Sequence, residues 1–295
     1  MSIQRVGLIG LGEAGSIIAA DLRGRGLDVQ VYDRLIETAP GQCLMLQRAE
    51  QCDVRLCSSA AKACADTDLL ISAVTAGQAL SVAAQLAPEM RASQFYLDIN
   101  SVAPATKQEA ARLIEAGGAS YVDAAVMAPI PPKRLATPML LGGAQAVALS
   151  AALNHLGFHT RAVASAVGTA AAIKMCRSVM IKGLEALTAE CLASARHYGA
   201  EEEVLASLQQ SFPSMGWDGV LPDYLISRIA EHGRRRAEEM EEAAQTLIDA
   251  NLSADLSQAI ARSQRALADT MRLKRLDYAE MQPFAWRELF ARLYG

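Results

Sequence analysis

The chain has 295 residues, is 52% hydrophobic and carries a formal net charge of −4 at pH 7. That length accommodates two domains of ordinary size, each with its own core. Charges of both signs are interspersed, which argues against a nucleic-acid or membrane-surface partner, and no apolar run approaches the roughly 18–20 residues of a membrane span.

The opening run MSIQRVGLIGLG enters a strand pattern directly, without the basic segment and long apolar stretch of a signal peptide, so a cytoplasmic protein is expected. The pattern predicts a strand over 3–10 that runs into Gly10-Leu11-Gly12-Glu13-Ala14-Gly15 and then a helix over 14–25. A glycine-rich turn between a strand and a helix is a dinucleotide fingerprint. The first glycine makes the turn, the second lets backbone approach a pyrophosphate, and the third lets helix pack on strand. The helix N-terminus then offers N–H groups and positive dipole to phosphate. The next strand, 28–33, ends in Asp33, 18 residues past Gly15. A carboxylate there accepts hydrogen bonds from ribose hydroxyls and repels a 2′-phosphate, which favours NAD; Arg34 beside it keeps NADP open.

Further strands are predicted over 53–57, 68–74, 94–100, 120–126, 138–143 and 159–164, with helical stretches between most of them, including 78–87 and 104–116. Alternating β and α elements predict a Rossmann-type, doubly wound and largely parallel sheet with helices on both faces. Ligands of such sheets lie beyond the carboxyl ends of strands, which singles out Val74-Thr75 and Asn100-Ser101. Either pair also fits a plain helix cap.

From Gly168 the strand signals stop. Helices are expected over 168–198, 201–211, about 222–250, 254–272 and near 284–293, with breaks at Gly199, Pro213, Gly216 and Asn251. The expected division is therefore an α/β domain over 1–164 and an all-α domain over 165–295. Six cysteines, at 43, 52, 57, 64, 176 and 191, form no CxxC pair, and the histidines at 155, 159, 197 and 232 are scattered. Reduced, mostly buried thiols and no metal site are expected.

At roughly 100° per residue, Lys174 shares a helix face with Arg177, Ser178, Ile181, Lys182 and Glu185, preceded on that face by Val167, Ala170 and Ala171. It stands where a small apolar stripe meets a polar one, either as the first residue of a solvated face or as a group that does chemistry. In HGRRRAEEMEEA (232–243), pairs such as Arg234–Glu238 and Arg235–Glu239 predict a solvated face, while His232 and Arg236 share a side that could reach a substrate. Trp217, Tyr224 and Met240 are candidates for a pocket wall or for core.

Four motifs, GLGEAG (10–15), DINS (98–101), DAAV (123–126) and GTAAAIK (168–174), occur in the order and spacing of a known family. The chain resembles the β-hydroxyacid dehydrogenases, the family of 6-phosphogluconate and 3-hydroxyisobutyrate dehydrogenases, over most of residues 3–190. The C-terminal part resembles the branch whose helical domain is phosphogluconate dehydrogenase-like. The resemblance implies an NAD(P)-dependent oxidoreductase acting on a small molecule, Lys174 as general acid/base, Asn100 and Ser101 as substrate and nicotinamide contacts, and a homodimer. Imine reductases share the architecture but generally lack this lysine; a non-catalytic NAD(P) sensor is the alternative from another class.

Two departures from the family pattern bear on substrate. The usual DAPVSGG loop is replaced by Met127-Ala128-Pro129-Ile130-Pro131-Pro132 after Val126, so a hydroxyl is lost and proline offers no N–H. The asparagine expected four residues after the lysine is Ser178, with Arg177 before it. A bulkier or less acidic substrate is expected to meet Met127, with Arg177, Lys133 or Arg134 available to a carboxylate.

Overall fold

A computed structural model describes residues 2–294. The chain forms two compact units, one through Lys174 and one from Met175 onward. The division falls ten residues beyond the expected boundary at 164. The reason is local: the first turns of the long helix α7 (Thr169–His197) are hydrogen-bonded into the first unit.

The first unit is an eight-stranded sheet in the order β3-β2-β1-β4-β5-β6-β7-β8. Its strands are β1 (Arg5–Ile9), β2 (Asp28–Tyr32), β3 (Arg55–Leu56), β4 (Leu69–Ser72), β5 (Phe95–Asp98), β6 (Ser120–Val126), β7 (Pro138–Gly142) and β8 (His159–Ala164). All neighbours are parallel except β6 and β7. The central strand β4 is buried throughout, which is why LLIS reads as continuous rather than alternating apolar sequence.

Adjacent strand residues point to opposite faces. Leu8, Ile71 and Leu97 pack with Ile18 and Leu22 of α1 (Glu13–Gly24), Met45 of α2 (Ala39–Gln51) and Leu149 of α6 (Ala146–His155). Ile9, Leu70, Tyr96 and Tyr121 pack with α3 (Ala60–Cys64), α4 (Ala79–Leu86) and α5 (Pro104–Ala116) on the other face. The expected strand 53–57 shrinks to Arg55–Leu56. Asp53, at φ 52, is still completing the turn out of α2, and β3 is an edge strand paired only with β2. The chain order reverses between β1 and β4, so their carboxyl ends open the crevice that in such sheets receives ligands.

The second unit is all-helical: the remainder of α7, then α8 (Glu201–Ser211), α9 (Leu221–Asp249), α10 (Asp255–Leu273) and α11 (Trp286–Tyr294). Trp217, Ile226, Ile229, Leu267, Trp286, Leu289 and Phe290 form its main core. Helices α9 and α10 run antiparallel and approach closely at Gly233, where a Cβ would lie 2.8 Å from the Gln264 carbonyl oxygen. Gly199, Gly216 and Asn251 all adopt positive φ at the expected helix breaks. No helix among the described residues is long and apolar enough to cross a membrane. All six cysteines are free thiols; Cys52, Cys57 and Cys64 are buried, but Cys43, Cys176 and Cys191 are exposed, which corrects the expectation of mostly buried thiols.

Candidate active site

The glycine turn is built by exclusion. Gly10 has φ 98, and a Cβ there would lie 2.3 Å from the Ala73 carbonyl oxygen of the neighbouring β4 connection. A Cβ on Gly15 would lie 2.0 Å from the Gly10 carbonyl, so α1 can rise from the turn only with glycine at that position. Gly12 differs: nothing lies within 4 Å of its Cβ position, and as N-cap of α1 it supplies no side chain to the helix N–H groups. An open cradle of backbone N–H donors results, which fits a pyrophosphate. Leu11 is buried beneath the turn, while Glu13 faces solvent at the helix start beside half-buried Ala14. Arg48 of α2 donates to the Leu11 carbonyl at 2.9 Å and braces the loop from behind.

Asp33 closes one side of the cradle. Its Oδ2 accepts from the Leu11 N–H at 2.8 Å and its Oδ1 from the Leu35 N–H at 3.0 Å. Each oxygen keeps a further lone pair for a ribose hydroxyl. Arg34 beside it is exposed. Nearby, burial first and then the hydrogen bond to Glu37 push the Tyr32 phenol up to about 12, so it stays protonated.

The ends of β4 and β5 are tied together by Asn100. Its Oδ1 accepts from the Val74 N–H at 2.7 Å and its Nδ2 donates to Ser72 Oγ at 2.9 Å. Asn100 is buried, and Thr75, just past it on the β4 side, is exposed. The next residue, Ser101, is half-buried, and its Oγ accepts a hydrogen bond from Lys174 Nζ on α7. The two residues lie 73 positions apart in sequence. The predicted lysine and the predicted strand-end serine therefore meet.

Beneath them lies a buried ionic group. Lys107 of α5 is fully buried, and its Nζ reaches the Asp98 carboxylate at 2.9 Å, the Asp98 carbonyl at 2.7 Å and Asp123 at 3.4 Å. Tyr121 donates to Asp98 Oδ2 at 2.6 Å; burial, and next the negative charge of Asp98, hold its phenol well above its usual value. Asp123 Oδ2 accepts from the Gly168 and Ala171 N–H groups at 3.2 and 3.0 Å, capping α7. Sequence reasoning singled out Asp98 and Asp123 only as letters of motifs and missed Lys107. The signal was present: Lys107 sits on the apolar stripe of α5, one turn before Ala110 and Ala111 and two before Ile114.

Other expected residues lie elsewhere. Met127 is half-buried just past β6, its N–H donating to the Pro138 carbonyl at 2.9 Å. Arg134, expected as a solvated or carboxylate-binding cation, is bidentate to Asp21 of α1. In the second unit, Ser178 is buried and accepts from Lys182 at 3.1 Å, and Lys182 pairs with Glu239 at 2.9 Å. Arg236 pairs with buried Glu185 at 3.0 Å; burial lowers the Arg236 pKa and raises that of Glu185. Arg177 is exposed. Arg234, expected to pair along its own helix, reaches Asp269 on α10 at 3.0 Å, because the antiparallel neighbour offers a carboxylate across the helix interface. His232 lies 3.2 Å from Glu231, with its pKa lowered chiefly by burial and then by Arg235. Trp217 and Met240 are core, whereas Tyr224 is exposed.

Known proteins resemble this chain in sequence and fold. The family model for the NAD binding domain of 6-phosphogluconate dehydrogenase matches residues 5–168. The chain belongs to the β-hydroxyacid dehydrogenase family. Its first unit is the family's NAD(P)-binding domain, and family members are NAD(P)-dependent oxidoreductases. A domain of unknown function, DUF1932, matches residues 195–267. The solved structure of a conserved hypothetical protein from Sinorhizobium meliloti 1021 is 36% identical, with TM-score 0.80 over 99% of this chain and 96% of that one. Human mitochondrial 3-hydroxyisobutyrate dehydrogenase is 27% identical over 215 residues, 72% of this chain and 63% of that enzyme. The Mycobacterium tuberculosis 3-hydroxyisobutyrate dehydrogenase, solved with L-serine, has the same fold: TM-score 0.73 at 18% identity over 100% of both chains.

Proposed function

We propose that the chain is a dehydrogenase that interconverts the alcohol and carbonyl of a small hydroxyacid-type substrate, with Lys174 as general acid/base and Ser101 as its partner. The observation that carries this reading is the Lys174–Ser101 hydrogen bond, in the same unit as a glycine turn and Asp33 that fit a dinucleotide. A bound nicotinamide supplies the hydride acceptor for oxidation and the hydride donor for reduction. In oxidation, neutral Lys174 takes the substrate hydroxyl proton on Nζ; in reduction, the protonated amine returns it to the carbonyl oxygen. Ser101 Oγ holds that amine in place by accepting from it, and leaves its own O–H to direct at the substrate oxygen. Asn100 acts indirectly, by fixing the ends of β4 and β5 relative to each other.

An ordinary lysine, with pKa near ~10.4, is neutral in only about one molecule in 2,500 at pH 7. Oxidation therefore rises with pH and reduction falls, whereas a carboxylate base already ionised at neutral pH would leave oxidation flat there. Met127 replaces a hydroxyl-bearing family position and favours an apolar group on the substrate. With Arg134 paired to Asp21, exposed Lys133 is the expected cation of the first unit for a substrate carboxylate. Asp33 favours NAD over NADP by like-charge repulsion of a 2′-phosphate. A homodimer through α7 is supported by exposed Met180 and Leu187, seven residues apart on one helix face.

Fluorescence titration tests the reading first: NADH is expected to bind about tenfold more tightly than NADPH, and failure of both to bind overturns the scheme. Oxidation of 3-hydroxyisobutyrate, L-serine and bulkier 3-hydroxyacids, followed at the nicotinamide absorbance, then tests the reaction. An imine reductase turns over cyclic imines instead, and a sensor binds cofactor but turns over nothing.

A further inference from the structure

Lys107 closes a ring of contacts within the first unit. On one side, Asp98 Oδ1 accepts from the Asn100 N–H at 2.8 Å, and so fixes the turn that delivers Ser101. On the other, Asp123 caps the first turn of α7, and Lys174 follows Ala171 by three residues, one turn along that helix. The ring is completed where Lys174 meets Ser101. Lys107 is the only cation described in contact with both carboxylates, and its three N–H donors match three oxygens. Asp123 Oδ1 has no hydrogen bond of its own and depends on Lys107 for charge.

Charge makes the arrangement cooperative. One buried ammonium faces two buried carboxylates, and the excess negative charge is met by the N-terminus of α7, whose dipole and N–H groups are directed at Asp123. A buried carboxylate stripped of its counter-charge must take up a proton or draw in water, and either would move the group it holds. The start of α7 has little freedom to adjust otherwise. Gly168, at φ 95, has Pro104 and Gln108 of α5 about its Cβ position at 3.2–3.3 Å.

We propose that Lys107 is a positioning residue of the active site: through Asp98 and Asp123 it sets the strand end that carries Ser101 against the helix turn that carries Lys174. This rests on the reading of Lys174 and Ser101 as the reacting pair. A purely structural ion cluster would stabilise the fold and leave that pair's geometry and reactivity alone.

The test uses the full chain with Lys107→Met, and with Asp123→Asn as the milder variant, whose amide oxygen can still cap α7. The rate at which an amine-reactive ester acylates Lys174 is followed by peptide mass spectrometry as a function of pH, with exposed Lys133 as internal reference. Both variants are expected to change the Lys174 rate at least about threefold or shift its pH midpoint, with the Lys133 rate and NADH affinity unchanged. With 3-hydroxyisobutyrate as probe, kcat is expected to fall about 10- to 100-fold while KM holds within about twofold, as for a reacting group displaced by a fraction of an ångström to an ångström. If Lys107→Met binds NADH normally and its Lys174 profile and kcat are unchanged, the proposal is overturned; if that variant does not fold, Asp123→Asn decides on the same readouts. The acylation arm needs no turnover. Should Lys174→Met prove fully active, the acid/base reading fails while the placement of Lys174 by Lys107 is still decided.

Discussion

Each unit of this molecule buries charge, and the two do so differently. In the first, Lys107 in the first turn of α5 joins Asp98 at the end of β5 to Asp123 within β6, and each carboxylate also accepts from backbone N–H of the turn or helix start that leads to a candidate reacting residue. In the second, Glu185 meets Arg236 and Gln264, and Lys182 meets Glu239, so the contacts join α7 to α9 and α10 midway along their lengths. The first cluster acts on turns, where a small shift re-aims a side chain. The second acts on rigid helices and fixes which residues face each other. Burial of charge is costly in both; the cost is matched by placement in one case and by helix register in the other.

The comparison breaks most visibly at Glu185. Glu185→Gln removes the direct ion-pair partner of the half-buried Arg236 guanidinium and is expected to lower stability by about 3 kcal/mol, measured by urea unfolding. Pairing it with Arg236→Met is expected to restore at least half of that, and NADH affinity should not change in either variant. A large loss of cofactor binding would mean that the helical cluster does more than hold helices.

The next effect sharpens the account of the first unit. Asp33→Asn removes the charge and keeps only one of the two acceptors that hold the Leu11 and Leu35 N–H groups, so the preference for NADH over NADPH is expected to shrink by about tenfold, roughly 1.4 kcal/mol. An unchanged ratio would transfer cofactor choice to Arg34 or elsewhere.

The smallest effect concerns His232, whose pKa burial and Arg235 hold below 6.5. The unfolded chain then binds this proton more readily than the folded chain does. Its contribution to stability is full above about pH 6.5 and is lost as pH falls through the lowered value. His232→Gln is expected to flatten the decline of the unfolding midpoint in that window, and a steeper decline would reverse the assignment.

What could be read in the sequence follows from how local each feature is. The glycine turn is legible because its constraint acts through backbone, so the residues themselves declare it; Gly15 has no alternative beneath the Gly10 carbonyl. Helix breaks at Gly199 and Asn251 are legible for the same reason. The antiparallel turn of β7 and the two-residue β3 are set by sheet partners, which periodicity does not report. Lys107 was hidden because its partners stand at 98 and 123 and because a lysine on an apolar stripe reads as a blemish rather than a buried ion. The cross-helix choice of Arg234 for Asp269 likewise depends on the α9–α10 approach at Gly233.

The central claim is that Lys174 moves the proton. The direct measurement is the pH dependence of kcat for 3-hydroxyacid oxidation in wild type and Lys174→Met, with NADH affinity as the control for folding. Wild-type kcat is expected to rise with pH as the amine loses its proton, and the variant to fall by about 10²- to 10⁴-fold and lose that rise. A Lys174→Met enzyme that keeps wild-type turnover and the same pH profile would contradict the account.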